Sequence, residues 1–284
     1  MNKKIIWLAD FTTLDHQGGA QQTNKIMIDR GREKGLDIDI VKCEDFDQSV
    51  INDDTIIIIN NITLLSDKNL QFIIDNAKYV RYCHDYSCIN RLNNFPEFYD
   101  NSLLNIFVSP LHHIEYKRAY KYNVKNIFYQ NSPVDTKKFY IKDIDRKHNE
   151  VMWVGQLVSH KGINNVAEYA KENPLVKLKV YGFGTERLLN RFNGLDNVEF
   201  LGEIDHDKIP EEYNKFGSFI HLPEWKEPFG RTILEAYLCG CDLIVNDNLG
   251  CMSFGWDYGD YESIKKECKN SPNKFWKAIL NVIN

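Results

Sequence analysis

The sequence contains, between residues 217 and 240, the stretch Gly217-Ser-Phe-Ile-His-Leu-Pro-Glu-Trp-Lys-Glu227-Pro-Phe-Gly230-Arg-Thr-Ile-Leu-Glu235-Ala-Tyr-Leu-Cys-Gly240. Its first six residues form an apolar run that predicts a buried strand. Pro228 suits the first position of a helix because no amide partner is lost there, and Gly240 suits the C-terminal cap. The stretch therefore predicts a strand, a turn and a helix. The N-terminus of such a helix binds phosphate through backbone N–H groups and a positive dipole.

Strands and helices alternate on both sides of this stretch, which predicts an α/β fold with two Rossmann-like halves. The run Thr55–Asn60 has no polar alternation, as is typical of a parallel strand buried on both faces. The predicted domains are an N-terminal domain over 1–135, a polar linker over 136–148, a second domain over 149–270 and a terminal helix over 271–284. Ser271 is the predicted N-cap of that helix.

Composition excludes several classes of protein. The net charge of −5, without a Lys/Arg block, argues against nucleic-acid binding. No apolar run reaches the ~18–20 residues that a membrane span needs. The odd number of cysteines, seven, suits reduced thiols in the cytoplasm. Neither Cys83-His84 nor Cys239-Gly-Cys241 has the spacing of a zinc site, and buried thiols are the simpler interpretation.

The Glu-x7-Glu spacing of Glu227 and Glu235, with Phe229-Gly230 after the first Glu, resembles the signature of retaining GT-B glycosyltransferases, particularly family 4. The resemblance implies that Glu227 faces the donor sugar and Glu235 holds the ribose, while Phe229, Gly230, Arg231 and Thr232 lie in the donor segment. A carboxylate can accept both ribose hydroxyls. The alternative is an ordinary amphipathic helix with a solvated Glu near each end.

Other parts of the second half carry the same resemblance. Val154-Gly-Gln156-Leu-Val-Ser-His-Lys161-Gly is similar to the family's turn in which an Arg and a Lys neutralise the donor diphosphate. Lys161 occupies the Lys position, and Gln156 replaces the Arg. Gly182 lies in a Gly-x-Gly turn like that of the family. Ile204, just after Gly202, is a candidate for contact with the nucleotide base.

The first half resembles the family more loosely. Gly18-Gly19 is similar to the family's Gly-Gly loop, which approaches the donor, because glycine lets the backbone come close to a ligand. His84 corresponds to the family's His-Asp at a strand end, and it would face the sugar and the acceptor. A strand-end histidine with one structural hydrogen bond is the rival interpretation.

The resemblance implies a GT-B fold, in which an acceptor-side domain (1–135) and a nucleotide-sugar-binding domain (149–270), both Rossmann-like, face each other across a cleft. In that fold the terminal helix (271–284) often crosses back to the N-terminal domain. It also implies a retaining, metal-independent hexosyltransferase that moves a sugar from a nucleotide diphosphate sugar to an acceptor hydroxyl. His84, Glu227 and Lys161 are the predicted catalytic residues, and no cofactor or metal is predicted. The acceptor can be a glycan, a lipid-linked molecule or a small molecule. Two alternatives stay open: a non-catalytic nucleotide-sugar-binding protein, and a phosphorylase or hydrolase on the same scaffold.

The chain also contains four Asp-x-Asp pairs, a pattern that binds metal in glycosyltransferases of another fold. They begin at Asp37, Asp45, Asp143 and Asp205. Four pairs are expected by chance in a chain with many Asp residues, and none lies on the donor elements. The Asp-x-Asp pairs are therefore not expected to bind a metal.

Overall fold

The computed structural model describes residues 3–12, 15, 18–120 and 123–283. They form two compact units. Unit 1 comprises the chain up to Pro133 together with the residues from Glu267 onwards, and unit 2 comprises Val134–Lys266.

Unit 1 is built on a six-stranded parallel sheet with the strand order β2-β1-β3-β4-β5-β6. Its elements are β1 Lys4–Ala9, α1 Gly19–Glu33, β2 Asp37–Lys42, β3 Thr55–Ile59, α2 Asp67–Asn76, β4 Lys78–Cys83, α3 Ile89–Leu92, α4 Glu97–Asp100, β5 Asn105–Phe107, α5 Pro110–Ala119 and β6 Ile127–Tyr129. The four isoleucines of β3, 56–59, are fully buried. Their continuous apolar pattern is explained by helices that cover both faces of the sheet.

Unit 2 is built on a five-stranded parallel sheet with the order β11-β10-β7-β8-β9. Its elements are β7 Lys147–Val154, α6 Ile163–Glu172, β8 Lys177–Tyr181, α7 Glu186–Leu189, β9 Val198–Gly202, α8 Ile209–Lys215, β10 Phe216–His221, α9 Arg231–Leu238 and β11 Asp242–Val245. The segment before β7, predicted as a linker, lies against this unit. Its Phe139 is buried, and the side chain of Asn214 joins the Lys142 amide to the Tyr140 carbonyl.

The last helix, α10, spans Tyr261–Ile283, so the predicted start at Ser271 is wrong. Asp260 accepts a hydrogen bond from the Ser263 amide and thereby caps the helix eleven residues before the predicted cap, Ser271. Ser271 is buried inside the helix, where its hydroxyl donates to the Asn131 carbonyl at 2.6 Å. Further along the helix, the indole N–H of Trp276 donates to the Met27 carbonyl in unit 1.

The strand order reverses once in each sheet. In unit 1 the reversal lies between β1 and β3, and in unit 2 it lies between β7 and β10. In open parallel sheets, ligands bind beside the carboxyl ends of the strands at this reversal, because the loops on its two sides diverge. Each unit therefore has one edge at which a ligand site is expected.

No described helix combines the length and the apolar character needed to cross a membrane. None of the seven cysteines is in a disulfide bond, and six of them are buried.

Candidate active site

The reversal point of unit 2 brings together Lys161 and Glu227. Lys161 ends the short turn after β7, and Glu227 lies in the loop after the neighbouring strand β10. The Lys161 Nζ and the Glu227 Oε1 are 2.5 Å apart. Two residues predicted for catalysis are therefore an ion pair, although 66 positions separate them in the sequence.

His221, the last residue of β10, is the second partner of Glu227. Its Nε2 lies 2.7 Å from the Glu227 Oε2, and its side chain is buried. An ionised carboxylate can only accept hydrogen bonds. The Nε2 of His221 therefore carries a proton and donates a hydrogen bond to Glu227. Sequence reasoning assigned no role to His221. The sequence feature that could have indicated a site residue is a histidine at the carboxyl end of an otherwise apolar strand, next to the donor segment.

The two partners determine the ionisation of Glu227. Burial by itself raises the pKa of a carboxyl group. The hydrogen bond from His221 and the positive charge of Lys161 outweigh that effect and lower the pKa of Glu227 to about 2. Glu227 is therefore an ionised carboxylate at neutral pH, even though its side chain is almost entirely buried.

The loop that carries Glu227 is held by backbone hydrogen bonds to the segment after β11. The Glu227 amide donates to the Asn248 carbonyl at 2.7 Å, and the Gly250 amide donates to the Glu227 carbonyl at 3.0 Å. A third bond joins the Cys251 amide to the Phe229 carbonyl. The first two bonds form an isolated parallel bridge between Glu227 and Leu249, and together the three bonds fix residues 227–229 against the segment after β11.

Helix α9 consequently begins at Arg231, and the prediction that Pro228 is its first residue is wrong. Gly230 precedes the helix with a φ of 88°, a conformation that glycine adopts without strain. At the other end, Gly240 also has a positive φ, 85°, which confirms the predicted glycine stop. Phe229 is buried and packs its ring edge-on against Phe254.

Glu235 and Arg231 form a second ion pair on the first turns of α9. The Arg231 Nε lies 2.7 Å from the Glu235 Oε1, and the Glu235 side chain is 3% exposed. Glu235, which is predicted to bind the ribose, therefore already has one carboxylate oxygen bonded to the guanidinium of Arg231. Thr232 lies half-buried in the first turn, where helical N–H groups lack partners inside the helix.

Two glycines allow the turns of this site to pack closely. Gly162, directly after Lys161, has a φ of 81°, and a Cβ there would lie 1.9 Å from the Leu222 carbonyl oxygen. Gly182 has a φ of 145°, and its Cβ would lie 1.8 Å from the Gly155 oxygen. Side chains at either position would push apart the strand ends of the sheet. Contact between Gly182 and a nucleotide stays a prediction.

The remaining donor-side candidates lie on the same edge of the sheet. Gln156 is exposed in the turn after β7, and Ile204 is half-buried in the loop after β9. The contacts within unit 2 do not test whether Gln156 lies at the donor diphosphate or whether Ile204 contacts the nucleotide base. Both assignments stay predictions.

Lys138 is a cation that sequence reasoning missed. Its Nζ lies 3.0 Å from the His206 Nδ1 and 2.7 Å from the Asp207 Oδ1. Asp207, which belongs to one of the Asp-x-Asp pairs, is thus an ion-pair partner of a lysine. Among the residues that the structure describes, no three His, Cys, Asp or Glu side chains are grouped so that they could hold a metal ion.

Unit 1 has a cavity of about 230 Å³ at its own reversal point. It is lined by Ala9, Asp10, Phe11, Ala20, Gln21, Asn24, Asn60, Asn61, Thr63, His84, Asp85 and Ser87. These residues follow the carboxyl ends of β1, β3 and β4 or lie on the first turns of α1. We refer to this space as the unit 1 cavity.

His84 lines the unit 1 cavity and is fixed by two asparagines. Its Nε2 lies 2.9 Å from the Asn24 Oδ1 and 3.1 Å from the Asn60 Oδ1. Since both neighbours are acceptors, the Nε2 carries the proton, which leaves the Nδ1 as an acceptor. Burial lowers the pKa of His84 to about 4, so the ring is neutral at neutral pH.

Gly18 and Gly19 lie where helix α1 begins. Gly18 is the N-cap with an ordinary φ of −71°, and Gly19 is the first helical residue. The backbone conformation at Gly18 and Gly19 does not require glycine. That these glycines let the backbone approach a ligand closely therefore stays a prediction. Gln21 and Asn24, one turn further, reach the unit 1 cavity.

Comparisons with known proteins agree with this architecture. The family model described as "Glycosyl transferases group 1" matches residues 134–260. The fold is similar to that of HepE from Anabaena, solved with UDP and glucose. The two chains are 16% identical with a TM-score of 0.67, over 99% of this chain and 97% of HepE. No curated protein sequence is detectably similar.

Two further solved structures share the fold over nearly their whole length. The sucrose-phosphate synthase from Thermosynechococcus elongatus is 15% identical with a TM-score of 0.66, over 99% of this chain and 95% of that one. The lipopolysaccharide outer core galactosyltransferase WaaB is 11% identical with a TM-score of 0.68, over 98% and 99%. The predicted GT-B fold is therefore confirmed.

Proposed function

We propose, because the family model of glycosyl transferases group 1 matches residues 134–260, that this chain is a retaining hexosyltransferase. It moves a sugar from a nucleotide diphosphate sugar to an acceptor hydroxyl. The observation that carries the proposal is the contact of the half-buried Lys161 and the buried His221 with the buried Glu227 at the reversal point of unit 2. The unpaired thiols suit a reducing compartment, and we place the reaction in the cytoplasm.

Lys161 binds the diphosphate of the donor. Its ammonium has three N–H donors, and one of them serves Glu227, which leaves two for phosphate oxygens. As the bond to the sugar breaks, negative charge builds up on the diphosphate. A positioned cation and the amides at the start of α9 stabilise that charge. This role needs no divalent ion.

The carboxylates hold hydroxyl groups. Glu227 is kept ionised and in one orientation by Lys161 and His221, so it is a preformed acceptor for hydroxyls of the donor sugar. Glu235 is held by Arg231 and takes the ribose. His84, on unit 1, contacts the transferring sugar. No enzyme nucleophile is needed if the leaving phosphate takes the acceptor proton on the same face of the sugar.

A donor screen tests this function. UDP-, GDP-, ADP- and dTDP-sugars are incubated with the protein in the presence and absence of EDTA, and released nucleoside diphosphate is measured. HepE was solved with UDP and glucose, so UDP-glucose is the first donor to examine. We expect turnover of at least one donor that EDTA leaves unchanged. The best donor is then tested with an acceptor panel, and the anomeric configuration of the product is read by NMR.

The outcomes separate the possible functions. A transferred sugar with the donor's anomeric configuration supports a retaining transferase, whereas an inverted product contradicts it. Binding of a nucleotide sugar without release of diphosphate indicates a non-catalytic binding protein. Release of diphosphate with free sugar as the sole product indicates a hydrolase. Activity that EDTA abolishes and manganese restores would contradict the metal-independent mechanism.

Replacing Glu235 by Ala is expected to weaken binding of the nucleoside diphosphate about 10- to 100-fold, because a charged hydrogen-bond partner contributes ~1.5–3 kcal/mol. Calorimetric titration of wild type and variant with UDP measures the change. Glu211→Ala, which removes an exposed carboxylate from α8, is the matched control. Equal affinity in wild type and Glu235→Ala would remove Glu235 from the site.

Replacing His84 by Ala is expected to reduce the rate of sugar transfer about 100-fold and to leave nucleotide affinity within about twofold. The reason is that one positioned hydrogen-bonding group, aimed at charge that develops on the reacting sugar, typically contributes about 10²–10³-fold, whereas the proposed nucleotide contacts lie on unit 2. Single-turnover rates and UDP titrations separate the two effects. His113→Ala, a half-exposed histidine on α5, is the control. A parallel loss of rate and affinity would contradict the assignment.

A further inference from the structure

The cations at the reversal point of unit 2 are already paired with carboxylates. Lys161 pairs with Glu227, and Arg231 pairs with Glu235. Lys138, the third cation, pairs with Asp207. A nucleoside diphosphate brings several negative charges to this edge. The bound site therefore carries excess negative charge unless a further cation is supplied.

The turn after β7 contains a group that can supply it. Lys161 is the one permanent cation between Gly155 and Gly162, because residue 156 is a neutral glutamine. His160 lies directly before Lys161 in the short turn Ser159–Lys161. A histidine can gain a positive charge near neutral pH, since its unperturbed pKa is about 6.5.

His160 is held in place but keeps its ring nitrogens accessible. Its carbonyl accepts a hydrogen bond from the Glu224 amide at 3.1 Å, and its ring packs against Trp225 with 4.7 Å between the ring centroids. The residue is exposed. Within the described part of the chain, neither ring nitrogen has a hydrogen-bond partner. A second proton on the ring therefore breaks no described hydrogen bond.

The charges around His160 favour the neutral ring while no ligand is bound. Partial desolvation, followed by the positive charge of Lys161, lowers the pKa of His160, and the negative charge of Glu227 raises it by less. A diphosphate bound beside Lys161 is an opposite charge close to the ring, and it therefore raises this pKa again. Ligand binding and protonation of His160 consequently favour each other.

Two further charged groups lie in the loop that packs against His160. The Glu224 carboxylate accepts from the side-chain amide of Asn164 at 2.6 Å. The Lys226 Nζ lies 3.4 Å from the Asp247 carbonyl oxygen. One carboxylate and one ammonium leave the charge balance of the edge unchanged.

Two other histidines at this edge are poorly suited to take up a proton. The Nδ1 of His206 lies 3.0 Å from the Lys138 Nζ, which can only donate, so this nitrogen stays an acceptor. His221 is buried, and its Nε2 donates to Glu227. Its Nδ1 is also buried and has no partner among the described residues, so a proton there would be an unsatisfied donor.

We propose that His160 takes up a proton when a nucleoside diphosphate binds beside Lys161, and that the imidazolium supplies the positive charge that the site lacks. The inference rests on the proposed function, because it concerns the diphosphate of the donor. The proton comes from solvent, so donor binding is coupled to pH. Affinity rises as the pH falls and levels off once His160 is protonated in the free protein as well.

The test measures binding and proton uptake together. UDP, or GDP or ADP if either binds more tightly, is titrated by calorimetry at pH 6, 7 and 8.5 in two buffers of different ionisation enthalpy. The terminal phosphate of the nucleotide also titrates near pH 6, but equally for every variant, so differences between variants report on the protein. His148→Gln removes an exposed histidine at the opposite end of β7 and is the matched control.

The expected results differ between the variants. His160→Gln is expected to bind the nucleotide about tenfold more weakly than wild type at pH 6 and within about twofold at pH 8.5, because the charge is absent from both proteins at high pH. Wild type is expected to take up about half a proton more per nucleotide than His160→Gln at pH 7. His160→Lys carries a permanent charge, so it should bind more tightly than wild type at pH 8.5 without the additional proton uptake. His148→Gln should behave as wild type.

Each other result contradicts the proposal. Equal proton uptake in wild type and His160→Gln would overturn it, as would a loss of affinity that is the same at every pH. A loss that His148→Gln reproduces would show that the position of His160 is not the cause. In these cases the nucleotide still binds, and the proposed function stands. If wild type binds none of UDP, GDP and ADP, the proposed function is contradicted and this inference with it.

Discussion

Lys161→Met is expected to lower kcat about 100- to 1000-fold and to weaken nucleoside diphosphate binding about tenfold. The larger effect on kcat follows because the charge on the diphosphate grows as the sugar leaves, and a positioned donor that meets developing charge contributes ~3–4 kcal/mol. Methionine keeps most of the volume of the side chain and removes its charge. Steady-state rates with the preferred donor and a UDP titration measure the two effects.

Two further variants make the Lys161 experiment specific. Lys161→Arg keeps the positive charge and is expected to recover part of the activity. Lys226→Met removes a half-exposed lysine next to Glu227 in the same loop and is expected to leave kcat within about twofold. If Lys161→Met retains activity within about threefold of wild type, another cation serves the diphosphate, and Lys138 is then the first candidate to examine.

Glu227→Gln is expected to destabilise the protein by about 3 kcal/mol at pH 7 and to abolish most transferase activity. The pKa of Glu227 is lowered from 4.5 to about 2 in the folded state. Such a depression corresponds to about 3 kcal/mol of stabilisation of the ionised form. Glutamine keeps the shape but leaves Lys161 and His221 without a charged partner. Urea unfolding of wild type and variant measures the difference.

The pH dependence of this difference has a definite sign. A carboxyl group whose pKa is lowered by folding contributes stability that is fully present above its unfolded pKa and is lost as the pH falls towards its folded pKa. The gap between wild type and Glu227→Gln should therefore be constant from about pH 8 to pH 5 and shrink between about pH 5 and pH 2. Glu224→Gln, an exposed residue of the same loop, is the control. A gap that does not change with pH would show that charge at Glu227 is not the cause.

His221 explains why Glu227 can be both buried and ionised. Without the two donors, burial would favour the protonated form, which is a poor acceptor for sugar hydroxyls. The unpaired Nδ1 of His221 is itself buried. The hydrogen bond that the structure describes for the His221 side chain is therefore the one from its Nε2 to Glu227.

The sequence by itself determined the features that depend on local pattern. The alternation of strands and helices, the buried strand over the isoleucines 56–59 and the glycine stop at Gly240 follow from periodicity and backbone preferences within a few residues. Lys161, Glu227 and Glu235 were predicted as site residues because their segments resemble the motifs of family 4 GT-B glycosyltransferases.

Only the tertiary structure decided how these residues are paired. Lys161 meets Glu227 because β7 lies beside β10 in the sheet, a neighbour relation that no local pattern encodes. Helix α9 begins at Arg231 instead of Pro228 because residues 227–229 form backbone bonds with 248–251, far along the chain. Ser271 was predicted as an N-cap because serine is favoured at that position, yet the helix begins at Tyr261, Asp260 caps it, and Ser271 lies buried against Asn131. In each case a long-range hydrogen bond or strand pairing outweighed the local preference.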